Sequence, residues 1–188
     1  YKVEEVPKKY AKLGGRALTS TIVYDEVDAT CHPLGPSNKL VFAPGIVTGT
    51  MAPSSSRLSV GGKSPLTGGI KEANAGSSFA PSLAKMRIKA IVVEGKPEEK
   101  GKYWLARIFM DEGEPKVEFE PADAYAGREL YSVFEEVYDR FGKKVDLAAV
   151  GTAGEFGYGN SGIAFNDMQR EPNRYSGRGG LGAVMGSK

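Results

Sequence analysis

Glycine accounts for 25 of the 188 residues, about 13% against a usual ~7%, and it gathers in runs. Such runs interrupt helices and strands, because glycine opens backbone conformations that other residues avoid. They divide this chain into short elements joined by ordered glycine, serine and proline loops. Loops of that kind let a ligand approach bare backbone, so function is sought there. The length suits one domain with one core.

Between the loops the pattern is mixed. Residues 2–6 read as a short strand, and Pro7 opens a short helical stretch that Gly14-Gly15 ends. Leu18, Ile22, Val23 and Val27 give the segment Arg16–Val27 a loosely apolar helical face. Lys39–Ala43 is a compact apolar strand, and residues 44–69 read as loops around one strand, Arg57–Val60. Ser77 can cap a helix carrying Phe79, Leu83 and Met86. Ile88–Glu94 reads as a buried strand, and Tyr103–Met110 with Lys116–Glu120 as a hairpin. Leu130, Val133, Phe134, Val137 and Phe141 fall on one face of a helix from Gly127 to Phe141, which Gly142 stops. Val145–Val150 is a further strand. Helices and strands without a βαβ rhythm predict an α+β fold.

Several function classes drop out. Lys and Arg total 25 against 23 Asp and Glu, a net charge of +2, too balanced for an electrostatic nucleic-acid binder. Cys31 and His32 are the single cysteine and the single histidine. They cannot make a disulfide framework, a zinc finger or a complete four-cysteine iron–sulfur site, and their Pro-flanked loop predicts a structural or exposed role. No apolar run reaches the ~18–20 residues of a membrane span.

Three glycine patterns imitate nucleotide loops. Gly61-Gly62-Lys63-Ser64 resembles the end of a phosphate loop, but Arg57 stands where its first glycine is required. Gly157-x-Gly159-x-x-Gly162 and Gly177-x-Gly179-x-x-Gly182 match the dinucleotide fingerprint without its strand–helix setting. Arg174-x-x-Gly177-x-Gly179 resembles the pyrophosphate loop of coenzyme A-dependent N-acetyltransferases, although only Leu181–Met185 is left to form the helix that should follow.

Four small-residue segments each carry a cation or an amide: 52–57, 63–68, 73–77 and 174–180. Bare N–H groups there can bind phosphates, arginine offers a fork for paired oxygens, and Asn74 offers an oxygen to a hard cation such as Mg²⁺. The competing role for Asn74 is to cap the helix beginning near Ser77. The four loops are expected to converge on one face.

Leu13-Gly14-Gly15-Arg16-Ala17-Leu18, Pro33-Leu34-Gly35-Pro36-Ser37-Asn38-Lys39-Leu40, Lys63-Ser64-Pro65-Leu66-Thr67-Gly68, Ile91-Val92-Val93-Glu94-Gly95 and the closing SGRGGLGAVMGSK occur in that order. Together they resemble the N-terminal domain of the aldehyde ferredoxin oxidoreductase family over nearly the whole chain. The resemblance implies one domain, 1–188, with two β-sheets, a few flanking helices and a tungsten (or molybdenum) bis-pterin cofactor resting on them. Arg57 then matches the arginine between a pterin and a [4Fe–4S] cluster. Asn74 matches the asparagine at the Mg²⁺ bridging the pterin phosphates, and Gly76 a pterin contact. Arg174, Ser176 and Gly177 match the second pterin-contacting run, with the Tyr175 carbonyl also on Mg²⁺. The metal-binding positions are thus Asn74 and Tyr175. No catalytic residue is assigned.

The complete family enzyme oxidises aldehydes to carboxylic acids and passes electrons through [4Fe–4S] to ferredoxin. The expected partners are therefore its remaining domains or subunit, ferredoxin and an aldehyde, with no nucleic acid and no membrane, in the cytoplasm. The family's iron–sulfur and C-terminal domains lie beyond these 188 residues, so the chain alone is expected to be inactive and free of iron. Two alternatives stand beside this reading: a free-standing, non-redox pterin-binding or assembly protein, and the acetyltransferase-like enzyme.

Overall fold

The computed structural model describes residues 1–99 and 101–188. Its centre is a four-stranded antiparallel sheet in the order β3-β2-β1-β4, with β1 Leu40–Pro44, β2 Arg57–Lys63, β3 Ile70–Gly76 and β4 Ile91–Val93. Every residue of β1 is buried, because both faces of the sheet are covered. Val41 and Ala43 pack beneath α1 (Gly15–Glu26), against Leu18, Ile22, Val23 and Tyr10. Leu40 and Phe42 face the other way, onto a larger core that holds Leu58, Val60, Ala73 and Ala75.

That larger core draws in distant parts of the chain. It takes Leu83 from α2 (Phe79–Lys85), Ile163 and Phe165 from β8 (Ile163–Phe165), and Leu181 and Val184 from α5 (Leu181–Gly186). The Phe79 and Phe165 rings meet at 5.5 Å and 70°, with Phe42 beside both, an edge-to-face arrangement that suits the ring quadrupoles. A three-stranded sheet, in the order β7-β8-β9, supplies β8; its other strands are β7 Ala148–Ala149 and β9 Arg174–Ser176. Strand β9 lies beside β3, which brings the two sheets side by side.

A two-stranded ribbon, β5 Trp104–Asp111 and β6 Glu114–Pro121, turns at Glu112-Gly113. Both turn residues have positive φ, 49° and 88°, as a tight hairpin of right-handed twist requires. Helix α3 (Leu130–Phe141) buries Val133, Phe134 and Val137 and ends at Gly142, and its Arg140 pairs with Glu120 of the ribbon. A short α4 spans Thr152–Glu155.

The α+β class holds, with the ribbon standing beside the two packed sheets. Residues 2–6 make no strand and lie exposed, with no pairing to any of the described strands. The helical stretch after Pro7 is a single 3-10 turn, Lys8–Tyr10. Ile88–Glu94 and Val145–Val150 shrink to β4 and β7 because only those residues find partners. The larger correction is β3. Residues 73–77 read as a loop, but Ile70–Gly76 pairs along all of β2, and β2 itself runs on to Lys63 through Gly61 and Gly62.

Cys31 and His32 have structural neighbours. The His32 ring accepts a hydrogen bond from Leu34 N, and the Cys31 carbonyl accepts one from the buried Lys63 ammonium. Among the described residues no helix is long and apolar enough to cross a membrane, and no group of three or more His, Cys, Asp or Glu side chains is placed to hold a metal ion.

Candidate functional site

Strand periodicity assigns the β3 side chains. Ala73 and Ala75 enter the core, so Glu72, Asn74 and Gly76 share the opposite face. The register with β2 sets Ser59 across from Asn74 and Arg57 across from Gly76. The Ser59 hydroxyl donates to Asn74 Oδ1 at 2.5 Å, and Asn74 Nδ2 donates to Glu72 Oε2 at 3.0 Å. Arg16 Nε lies 2.9 Å from the other oxygen of Glu72. Helix α1 begins here as well: a Cβ on Gly15 would stand 3.5 Å from Ser59 Oγ. Its N-terminal end carries partial positive charge, which favours an anion nearby.

Asn74 therefore sits on a strand and does not cap α2. The amide of Phe79 is held instead by Ser77 Oγ at 3.2 Å. Next to Asn74, Gly76 has nothing within 4 Å of where a Cβ would stand, so the ladder ends on open backbone beside the exposed Arg57.

The second predicted run forms β9. Arg174, Tyr175 and Ser176 pair with Phe165, Ala164 and Ile163 of β8. Arg174 and Tyr175 are exposed, Ser176 is buried, and Gly177 follows at the surface. Among the described residues the Ser176 hydroxyl has no hydrogen-bond partner. Burial, and then the neighbouring Tyr131, push the Tyr175 phenol above its ordinary pKa. The turn leading into β9 is braced by Asp167, whose carboxylate accepts from Gln169 N, Glu171 N and Asn173 Nδ2.

The segments 63–68 and 174–180 meet directly. Ser64 Oγ donates to the Gly179 carbonyl at 2.6 Å, and Gly179 presses on the Lys71 side chain. A shallow cleft of about 330 Å³ opens there, between Thr67, Lys71, Asn160 and the backbone of residues 177–180. The two fingerprint-like glycine runs pack against each other. A Cβ on Gly180 would fall 2.0 Å from the Gly159 carbonyl oxygen, and one on Gly182 would fall 2.4 Å from that of Gly162. Close backbone approach accounts for Gly180 and Gly182, whereas Gly159 has open space where a Cβ would stand. Helix α5, Leu181–Gly186, follows these glycines and packs Leu181 and Val184 into the larger core.

Arg57, Asn74 and Gly76 thus share one end of the β2–β3 ladder, and Arg174 to Gly177 occupy the strand beside β3. Arg16, Ser59 and Glu72 escaped the sequence reading. Alternation at 72, 74 and 76 could have shown that Glu72 shares a face with Asn74, but only with β3 recognised as a strand.

Residues 1–188 match the model of "Aldehyde ferredoxin oxidoreductase, N-terminal domain". The chain belongs to this family. It is 38% identical to the tungsten-containing aldehyde ferredoxin oxidoreductase of Pyrococcus furiosus and 36% identical to that of Thermococcus kodakarensis, over its whole length in both cases. It spans 29% of the length of each of these relatives. The active-site complex BamBC of benzoyl coenzyme A reductase, solved with 1,5-dienoyl-CoA, shares the fold with a TM-score of 0.82 and 27% identity. That likeness covers 97% of this chain and 26% of the other.

The aldehyde ferredoxin oxidoreductase N-terminal domain implies a pterin cofactor, and the residues here suit one. An amide oxygen at Asn74, open backbone at Gly76 and an unpartnered buried hydroxyl at Ser176 lie on adjacent strands. Arg57 and Arg174 are exposed beside them, a donor set matched to a polyanionic ligand.

Proposed function

We propose that this chain is the cofactor-binding N-terminal domain of a tungsten (or molybdenum) bis-pterin oxidoreductase that converts aldehydes to carboxylic acids. The observation that carries the reading is the pairing of Ser59 with Asn74, beside Arg57 and Gly76, on the strand next to Arg174–Ser176. The relatives named as tungsten-containing aldehyde ferredoxin oxidoreductases support the metal and the substrate class.

In this reading the metal-facing groups are Asn74 Oδ1 and the Tyr175 carbonyl. Both are hard oxygen donors that would suit a divalent cation such as Mg²⁺ beside the cofactor's phosphates. Arg174 and the backbone at Gly76, Ser176 and Gly177 would bind the phosphates and pterin edges, and the α1 N-terminus adds a favourable field. When bound, the metal–pterin group supplies the centre that accepts two electrons as an aldehyde and water become a carboxylic acid. Arg57, exposed at the end of the ladder, would lie between the pterin and the part of the enzyme that carries the [4Fe–4S] cluster, which would supply the route for electrons to ferredoxin. The remaining domains or subunit supply the cluster ligands and the proton-transfer groups, and the complete enzyme works in the cytoplasm.

The test is the full-length protein produced with tungstate or molybdate. Stoichiometric metal and pterin, with aldehyde-dependent reduction of ferredoxin, are expected. Pure protein with neither metal nor pterin, or a melting temperature raised by coenzyme A alone, would overturn the assignment.

A further inference from the structure

An asparagine serves a hard cation only through Oδ1, because Nδ2 carries two protons and has no lone pair to give. The two ends of the amide are nearly equal in size, so packing alone does not select between them. Ser59 does not select either, since a hydroxyl can donate to an oxygen or accept from an NH₂. Glu72 does select. A carboxylate only accepts, so the amide end meeting Glu72 Oε2 at 3.0 Å is Nδ2. That leaves Oδ1 to Ser59, with its second lone pair free. The carboxylate is itself anchored, its other oxygen 2.9 Å from Arg16 Nε. Arg16 leads α1, Glu72 and Asn74 lie two apart on β3, and Ser59 faces Asn74 from β2, so three elements hold one amide.

We propose that Glu72 is a positioning residue: anchored by Arg16, it fixes the Asn74 amide with Nδ2 on the carboxylate and Oδ1 available to the cation. This rests on Asn74 being the metal-facing amide of the function proposed above. Each Glu72 oxygen accepts one partner, Asn74 Nδ2 or Arg16 Nε, and the role assigned to Glu72 is this hold on the amide, not a bond to the cation.

The decisive variant is Glu72→Gln. With Arg16 unchanged, the introduced amide turns its oxygen to the guanidinium and its NH₂ to Asn74. Asn74 then turns over to accept, and Nδ2 replaces Oδ1 on the cation side. Removing Arg16 as well frees the introduced amide to present its oxygen to Asn74 again. The double variant Arg16→Ala/Glu72→Gln is therefore expected to recover what the single variant loses, which a merely structural role does not predict.

The measurement is magnesium retained per chain of full-length holoenzyme after a timed chelator challenge, with tungsten content and melting temperature recorded alongside. Asn74→Ala sets the scale for complete loss. Glu72→Gln should weaken retention roughly 10-fold, the low end for outer-shell partners of metal ligands, and the double variant should restore it. Should the single variant also lower the melting temperature, recovery of magnesium in the double variant still supports the assignment. Parent-like retention in Glu72→Gln, or no recovery in the double variant, overturns the role of Glu72 while leaving Asn74 at the metal. Parent-like retention in Asn74→Ala removes the metal reading of Asn74 and the proposal with it.

Discussion

Arg57 and Gly76 are register partners at the end of the β2–β3 ladder, an exposed cation facing bare backbone. Nothing lies within 4 Å of a Cβ built on Gly76, and its φ is not in the left-handed region, so the fold does not need glycine there. Gly76→Val should leave the melting temperature unchanged or slightly raised, because glycine inside a strand costs about 0.5–1 kcal/mol. The same side chain covers the surface proposed for the cofactor. Metal analysis of the purified full-length variant should therefore show reduced tungsten in a well-folded protein.

Gly180 presents the opposite case. Its φ is +70°, and a Cβ would fall 2.0 Å from the Gly159 carbonyl oxygen. Gly180→Ala should cost about 3 kcal/mol, at the upper end for overpacking. Thermal or urea unfolding of the full-length protein checks this against Gly68→Ala, which shares a positive φ but has open space around it.

Asp146 gives a prediction in pH. Its buried carboxylate accepts hydrogen bonds from Ser78, Ser82, Asn166 and Arg170, tying α2 to the turn before β9. Desolvation works to raise its pKa, but those four bonds outweigh it and hold the group below the ordinary 3.8. A depressed pKa means that the folded state binds the proton less tightly than the unfolded one. The stabilisation is thus complete at neutral pH and is lost as pH falls from about 4 through the lower folded value. Asp146→Ala should cost about 3–5 kcal/mol at pH 7, as breaking a buried pair does, and acid titration of its stability should show a shallower fall than that of the parent.

Glycine runs, the apolar face of α3 and the ribbon hairpin were legible in the sequence because each is a local pattern. Leu130 to Phe141 repeat at helical spacing, and Asp111 to Glu114 mark a turn between alternating strands. Strand β3 was not legible, since Ala73, Ala75 and Gly76 carry little β signal and gain their place from pairing with β2. The isolated apolar runs at 88–94 and 145–150 invited longer strands than their neighbours could pair. The four small-residue segments and the fitness of Asn74 for a hard cation were legible in the residues and the individual pterin roles came from resemblance, whereas Ser59, Glu72 and Arg16 became visible only once the ladder set their register.

The most direct measurement is an experimental structure of the full-length protein with its cofactor bound. The account predicts a metal–pterin group on the face formed by β2, β3 and β9, with a cation about 2.0–2.1 Å from Asn74 Oδ1 and from the Tyr175 carbonyl. A cofactor seated elsewhere on the domain, with Asn74 still bonded only to Ser59 and Glu72, would contradict it.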